Sequence, residues 1–140
     1  MTARALGIDF GEKRIGVAAT DALGLDAHPL EVLASTPRDT AADRIAAIAR
    51  ERGATVLVVG MPVNMDGTPH DSAPQVRAFA RRCVERTGLP LVFVDERLST
   101  VEAERLLRDA GRSRGDRRGL VDMFAAAVIL RDWMAAGPGG

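Results

Sequence analysis

Three carboxylates that lie far apart in the chain, Asp9, Glu96 and Asp122, have the residue type and the local setting to hold divalent cations. Two such ions activate water, stabilise a leaving oxygen and neutralise the charge that builds on a phosphodiester, so the chemistry expected of them is phosphodiester hydrolysis. Hard oxygen ligands without a Cys/His cluster favour Mg2+ or Mn2+ over structural zinc. His28 and His70 are isolated and suit turn or surface packing. No Ser-His-Asp arrangement competes, and Cys83, the only cysteine, sits in a helical stretch where packing is its expected role.

Each carboxylate rests on a different kind of element. In Ala5 to Phe10, strand alternation puts Leu6, Ile8 and Phe10 on one face and Gly7 and Asp9 on the other, a face that glycine leaves bare. Asp122 shares a helical face with Ala125, Ala126 and Ile129, where an ionised carboxylate needs a cation or a partner such as Arg118. The two alanines would let that helix approach the sheet and carry Asp122 toward Asp9. Asp95 and Glu96 follow the short strand Leu91 to Val94, at the edge where α/β sheets place ligands. Only one of the two should face the site; Glu96 has the longer reach, and Asp95 is the alternative.

The elements between them alternate. A hairpin pairs 5–10 with 14–20, and a third strand runs near 28–33. A helix over 40–52, capped by Thr40 and ended by Gly53, precedes a buried strand over 55–59. The loop 61–68 leads to a helix over 74–86, the strand 91–94 and a helix from Ser99 or Thr100 to about residue 110. Residues 112–119 read as a linker, 120–134 as the last helix, and Gly137 to Gly140 as a frayed tail. This predicts a single α/β domain over 1–136, with a mixed five-stranded sheet and helices on both faces.

Composition sets the outer limits. With 140 residues, 46% apolar and 27% charged, the chain can bury a core of its own. Its longest apolar run, Met123 to Leu130, falls well short of the roughly 20 residues that cross a bilayer, and no signal-peptide pattern opens it, so a reducing cytoplasm is the expected setting. Net charge is zero, yet the segment 105–118 concentrates six arginines against two aspartates. Arg114, Arg117 and Arg118 either clamp phosphates or form a solvated charged loop. With no tyrosine and few aromatics there is little surface for base stacking, which favours recognition by shape.

Four segments together resemble the YqgF or RuvX-like family: the run from Gly7 to Ala18, Gly60 to Thr68, Asp95 to Glu104, and Asp122 with Ala125, Ala126, Ile129 and Leu130. They fall in the family's order and span nearly the whole chain. The resemblance implies a ribonuclease H-like fold and a divalent-metal nuclease that matures the 5' end of pre-16S rRNA or resolves branched DNA such as Holliday junctions. By motif position Asp9, Glu96 and Asp122 would be the catalytic and metal-holding acids. Lys13, Arg14, Asn64, Asp66, Arg97, Ser99 and Thr100 would surround the nucleic acid or support the site. Asn64 and Asp66 also suit a turn, and Ser99 and Thr100 a helix cap.

Other resolvases of this fold place a glutamate on the strand beside the first. Here it comes one strand later, about two 4.8 Å spacings from Asp9, with Asp66 as the reserve ligand. Two other functions compete. Asp9-Phe10-Gly11 and Gly16 resemble the phosphate loop of sugar kinases and actin-like ATPases, but 140 residues supply only one of their two lobes. A non-catalytic nucleic-acid adapter would keep the fold without the cutting. A homodimer is left open.

Overall fold

The computed structural model describes residues 4–96, 99–109 and 114–136. Nine elements follow in chain order: β1 (Ala5–Phe10), β2 (Arg14–Thr20), β3 (Ala27–Ala34), α1 (Arg38–Arg52), β4 (Val56–Met61), α2 (Ala73–Thr87), β5 (Leu91–Asp95), α3 (Ser99–Asp109) and α4 (Arg114–Ala135). The strands form one sheet in the order β3-β2-β1-β4-β5. β1, β2 and β3 pair antiparallel as a meander, while β4 and β5 join parallel to β1. The middle strand is therefore β1, and β4 lies between it and the edge strand β5.

The alternation along β1 divides the core. Leu6, Ile8 and Phe10 pack with Ile45 and Ile48 of α1 and Val76, Phe79 and Cys83 of α2. Phe10 stacks on Phe79 with ring centroids 4.8 Å apart. On the other face Ala5, Ala18 and Val58 meet Ala126, Ile129, Leu130 and Trp133 of α4. Large side chains thus fill the α1/α2 side, and small ones line the sheet's α4 side. Helices cover both faces of a mixed five-stranded sheet, as the sequence predicts. Cys83 is buried, which pushes its thiol up to about 12 and suits packing rather than reactivity.

Three boundaries differ from the sequence reading by two residues or more, and the first is β4, which runs on through Gly60 to Met61 because it stays paired with β5 there. α1 begins two residues before Thr40, because the extended Pro37 offers its carbonyl to the Ala41 N–H at 3.1 Å and no side chain caps the helix. Its other end matches: Gly53, at φ 64°, returns its N–H to Ala49 and Arg50. The expected linker 112–119 is helical from Arg114 onward, so α4 gains almost two turns. That stretch has no proline, and its arginines are good helix formers, which outweighs its polar look. Asp122 consequently lies inside the helix rather than in its first turn, beyond the stabilising reach of the N-terminal dipole. Arg112 and Gly137 to Gly140 lie outside the described residues.

Candidate active site

Asp9 projects from β1 toward α4 and is 8% exposed. Glycine flanks it on both sides. Gly16 of β2 is its antiparallel partner, and one step past the Ile8–Val59 pair the β1–β4 register brings Gly60 alongside. A glycine inside a strand admits another group where a side chain would stand. A Cβ on Gly16 would meet the Asp122 carbonyl oxygen at 1.9 Å, so the α4 backbone rests directly on β2 there. A Cβ on Gly60 would lie 2.6 Å from Glu96 Oε2, so the glutamate crosses β4 through the space that Gly60 leaves.

The two glycines resolve the distance problem posed by the sequence. Glu96 does start two strands from Asp9, with its N–H on the Met61 carbonyl at 3.2 Å, yet its carboxyl donates a hydrogen bond to the Asp9 carboxylate. Burial pushes the Asp9 carboxyl above its ordinary value; the bond from Glu96 pulls it down, and the charge of Asp122 pushes it up again. For Glu96, burial, the bond to Asp9 and the charges of Asp9 and Asp95 all act upward. Both carboxyls of the pair are thus held above their ordinary range, by burial first.

Asp122 is held from another side. Arg14 at the start of β2 donates from Nε to Asp122 Oδ2 at 2.9 Å, a partner that helical spacing does not offer; the side chain of Arg118 lies outside the described residues. The hairpin that carries Lys13 and Arg14 is itself anchored: Ser35, buried, donates its N–H to the Lys13 carbonyl at 3.0 Å and its hydroxyl to the Glu12 carbonyl. Sequence reasoning passes over Ser35, Gly16 as a packing position, and Gly60, which reads as a strand terminator. The signal available is glycine within an apolar strand.

Among the described residues no three His, Cys, Asp or Glu side chains stand ready as a metal cage. Glu96 is engaged with Asp9, and Asp122 with Arg14. The donor set nevertheless fits a hard divalent cation. Three carboxylates approach one another from β1, the end of β5 and α4, and two of them are disfavoured as anions by burial and mutual repulsion, a cost that a cation removes.

The remaining sequence candidates divide. Asn64 and Asp66 build the turn after β4: Asn64 Nδ2 donates to Thr68 Oγ1 at 2.9 Å, and Asp66 Oδ1 accepts from the Thr68 hydroxyl at 2.7 Å and from its N–H at 3.0 Å. Ser99 and Thr100 open α3, and Arg114, Arg117 and Arg118 fall in the first two turns of α4. Arg97 lies outside the described residues. His70 accepts the Ser72 N–H at 3.1 Å just before α2, a local role like the one its isolation suggests.

Comparison with known proteins places this geometry. The family model described as RuvX, Holliday junction resolvase, matches residues 3–136. A relative from Anaeromyxobacter sp. is 47% identical across 94% of this chain and 96% of its own length. One from Symbiobacterium thermophilum is 48% identical across 93% and 90%. Both carry the provisional name pre-16S rRNA nuclease. Among solved structures, T. thermophilus RuvC in complex with a Holliday junction substrate superposes with a TM-score of 0.64 over 97% of each chain, at 16% identity. That identity speaks to fold alone, and the fold is that of the ribonuclease H-like resolvases. With its sequence relatives, its family model and its fold in agreement, the chain belongs to the RuvX family of resolvase-like nucleases.

Proposed function

We propose that this protein is a divalent-metal nuclease whose ions, Mg2+ or Mn2+, are held by Asp9, Glu96 and Asp122, and whose substrate is the 5' end of pre-16S rRNA. The observation that carries the reading is that Glu96 reaches Asp9 across the bare Gly60, while Gly16 seats the α4 backbone at Asp122 close enough for its charge to act on Asp9. The substrate follows the names of the curated relatives, and a cytoplasmic setting follows the substrate. No described helix is long and apolar enough to cross a membrane. Bound ions supply an activated water and charge neutralisation at the scissile phosphate. The chain supplies the rest. Asp9 on the middle strand would fix the centre, Glu96 would complete it from across Gly60, and Arg14, released from Asp122, would be free to pair with a phosphate oxygen. Lys13 on the hairpin beside Arg14 and the start of α3 at Ser99 and Thr100 adjoin the carboxylates in the fold or the chain and would extend the substrate surface, with Arg97 next to Glu96 in sequence; Asn64 and Asp66 hold the turn after β4.

The test offers purified protein a pre-16S rRNA 5' segment and a four-way DNA junction, with Mg2+ and with Mn2+, beside the Asp9→Asn and Glu96→Gln variants. Cleavage of the RNA that both substitutions abolish is the expected result. Preferential cutting of the junction would favour the resolvase reading, which the family description and the RuvC likeness support. Binding without cutting under every condition would leave a nucleic-acid adapter in place of an enzyme. Chromatography with light scattering, run on the same preparation, distinguishes a monomer from a homodimer.

Arg114, Arg117 and Arg118 lie close together along the start of α4, the end of the helix that carries Asp122. Replacing all three with Gln is expected to weaken substrate binding and to flatten its salt dependence, by roughly 0.7 to 0.9 in the log-log slope for each phosphate no longer neutralised. An unchanged slope would assign those arginines to a solvated surface.

A further inference from the structure

Gly60 has no polar atom beyond its backbone and no part in any chemistry, yet the space above it is where Glu96 passes. Two of the three neighbours that a Cβ there would meet are the ends of side chains: Ile129 Cδ1 at 2.5 Å and Glu96 Oε2 at 2.6 Å. The third is Glu96 Cβ at 3.1 Å. Ile129 can turn its terminal methyl aside at modest cost. Glu96 has less choice, because its N–H is fixed on the Met61 carbonyl and its Cβ is itself crowded. A methyl group at position 60 therefore leaves the fold in place and pushes the Glu96 carboxyl off the line to Asp9.

From this we infer that Gly60 is a positioning residue for the metal centre, a strand position kept bare so that an acid from the edge strand reaches the middle strand across its neighbour. The inference rests on the nuclease reading for its functional consequence, but its geometric content does not. Gly16 plays a different part, since a Cβ there meets only the backbone of α4. Gly60 instead governs one side chain, and it does so by absence. The same bareness accounts for the unusual origin of the third carboxylate: a glutamate on the edge strand serves only if the strand between carries no side chain at that level.

A double-mutant cycle tests the inference in the full-length protein. Mn2+ affinity is measured by calorimetry for wild type, Gly60→Ala, Glu96→Gln and the double variant. Gly60→Ala is expected to weaken Mn2+ binding by about 10- to 100-fold, the range found when groups that orient metal ligands are altered. In the Glu96→Gln background the same change should add nothing, because the carboxylate it displaces is already gone. Additive losses would overturn the inference by showing that position 60 acts through the fold at large.

Thermal unfolding without metal gives a second, independent readout. Gly60→Ala should cost more stability with Glu96 present than in the Glu96→Ala background, where the crowding is relieved. Equal costs in the two backgrounds would refute the crowding whatever the protein does with metals. Failure of the wild type to bind Mn2+ would sink the nuclease reading, and the metal-free cycle would still decide the role of Gly60.

Discussion

Asp9→Asn is expected to abolish metal-dependent cleavage and, in the metal-free protein, to raise stability. The first effect should be at least about a thousandfold in rate, since a centre that loses its middle ligand forfeits on the order of 4 kcal/mol of transition-state charge stabilisation. The second comes from the setting of Asp9, 8% exposed and close to the charge of Asp122. Burial makes its anionic form costly, and an amide of the same shape removes that cost while still accepting from Glu96.

The pH dependence carries the same sign. Asp9 and Glu96 both have folded-state values raised above the ordinary 3.8 and 4.5. A carboxyl raised in this way contributes stability that is fully present below its unfolded value and lost as pH rises through its folded value. The metal-free wild type should therefore lose stability as pH rises from about 3.8, where unfolded Asp9 begins to ionise, with a gentler slope in Asp9→Asn. Adding Mn2+ should stabilise the wild type by mass action and leave the variant almost unmoved. Thermal melts from about pH 3.8 to about pH 8, with and without Mn2+, measure all of this. A variant less stable than wild type in the absence of metal would contradict the account of Asp9 as a residue kept at the expense of stability. Glu96→Gln offers a contrast, because its amide N–H can still donate to Asp9; it should keep the fold and lose the ligand.

How much of this is legible in the sequence differs by residue for physical reasons. Asp9 is legible because a strand has a period of two, and its neighbour Gly7 leaves its face bare. The approach of Asp122 is legible in Ala125 and Ala126, which are fully buried against the sheet. Glu96 is not. Its place depends on Gly60, a helix and a strand earlier in the chain, and a glycine at the end of an apolar run looks the same whether it ends a strand or clears a path. The partner of Asp122 escapes for a similar reason. Helical spacing points only to neighbours on α4, whereas Arg14 arrives from the sheet, 108 residues away in sequence, and no local pattern encodes an interaction of that range. The start of α4 is hidden by composition: glycine, serine and charge resemble a linker until packing further along the helix fixes the backbone before it.

Gly16→Ala should be more damaging than a methyl group added at Gly7, Gly11 or Gly60. The new Cβ would stand 1.9 Å from the Asp122 carbonyl oxygen, 2.1 Å from its carbonyl carbon and 2.6 Å from the Met123 nitrogen. All three are backbone atoms of a helix, so no rotamer change relieves the overlap. Ordinary contact begins near 3.4 Å, and 3.4 less 1.9 means that α4 must lift from β2 by about 1.5 Å. Lifting it loosens Ala126, Ile129 and Leu130, which bury the second half of the core. Overpacking a core costs about 1 to 3 kcal/mol when side chains can yield, and here they cannot, so at least about 3 kcal/mol is expected. For a domain of this size that lowers Tm by roughly 10 °C. The displacement also carries Asp122 away from Asp9, so molecules that remain folded at low temperature should bind Mn2+ weakly and cut slowly. Gly60→Ala provides the internal comparison: the same added atom, on another strand beside β1 and facing the same helix, meets side-chain ends and should cost far less stability. If the two variants melted together, the close seating of α4 on β2 would have to be abandoned, and with it the explanation of how a helix delivers the third carboxylate to the middle of the sheet.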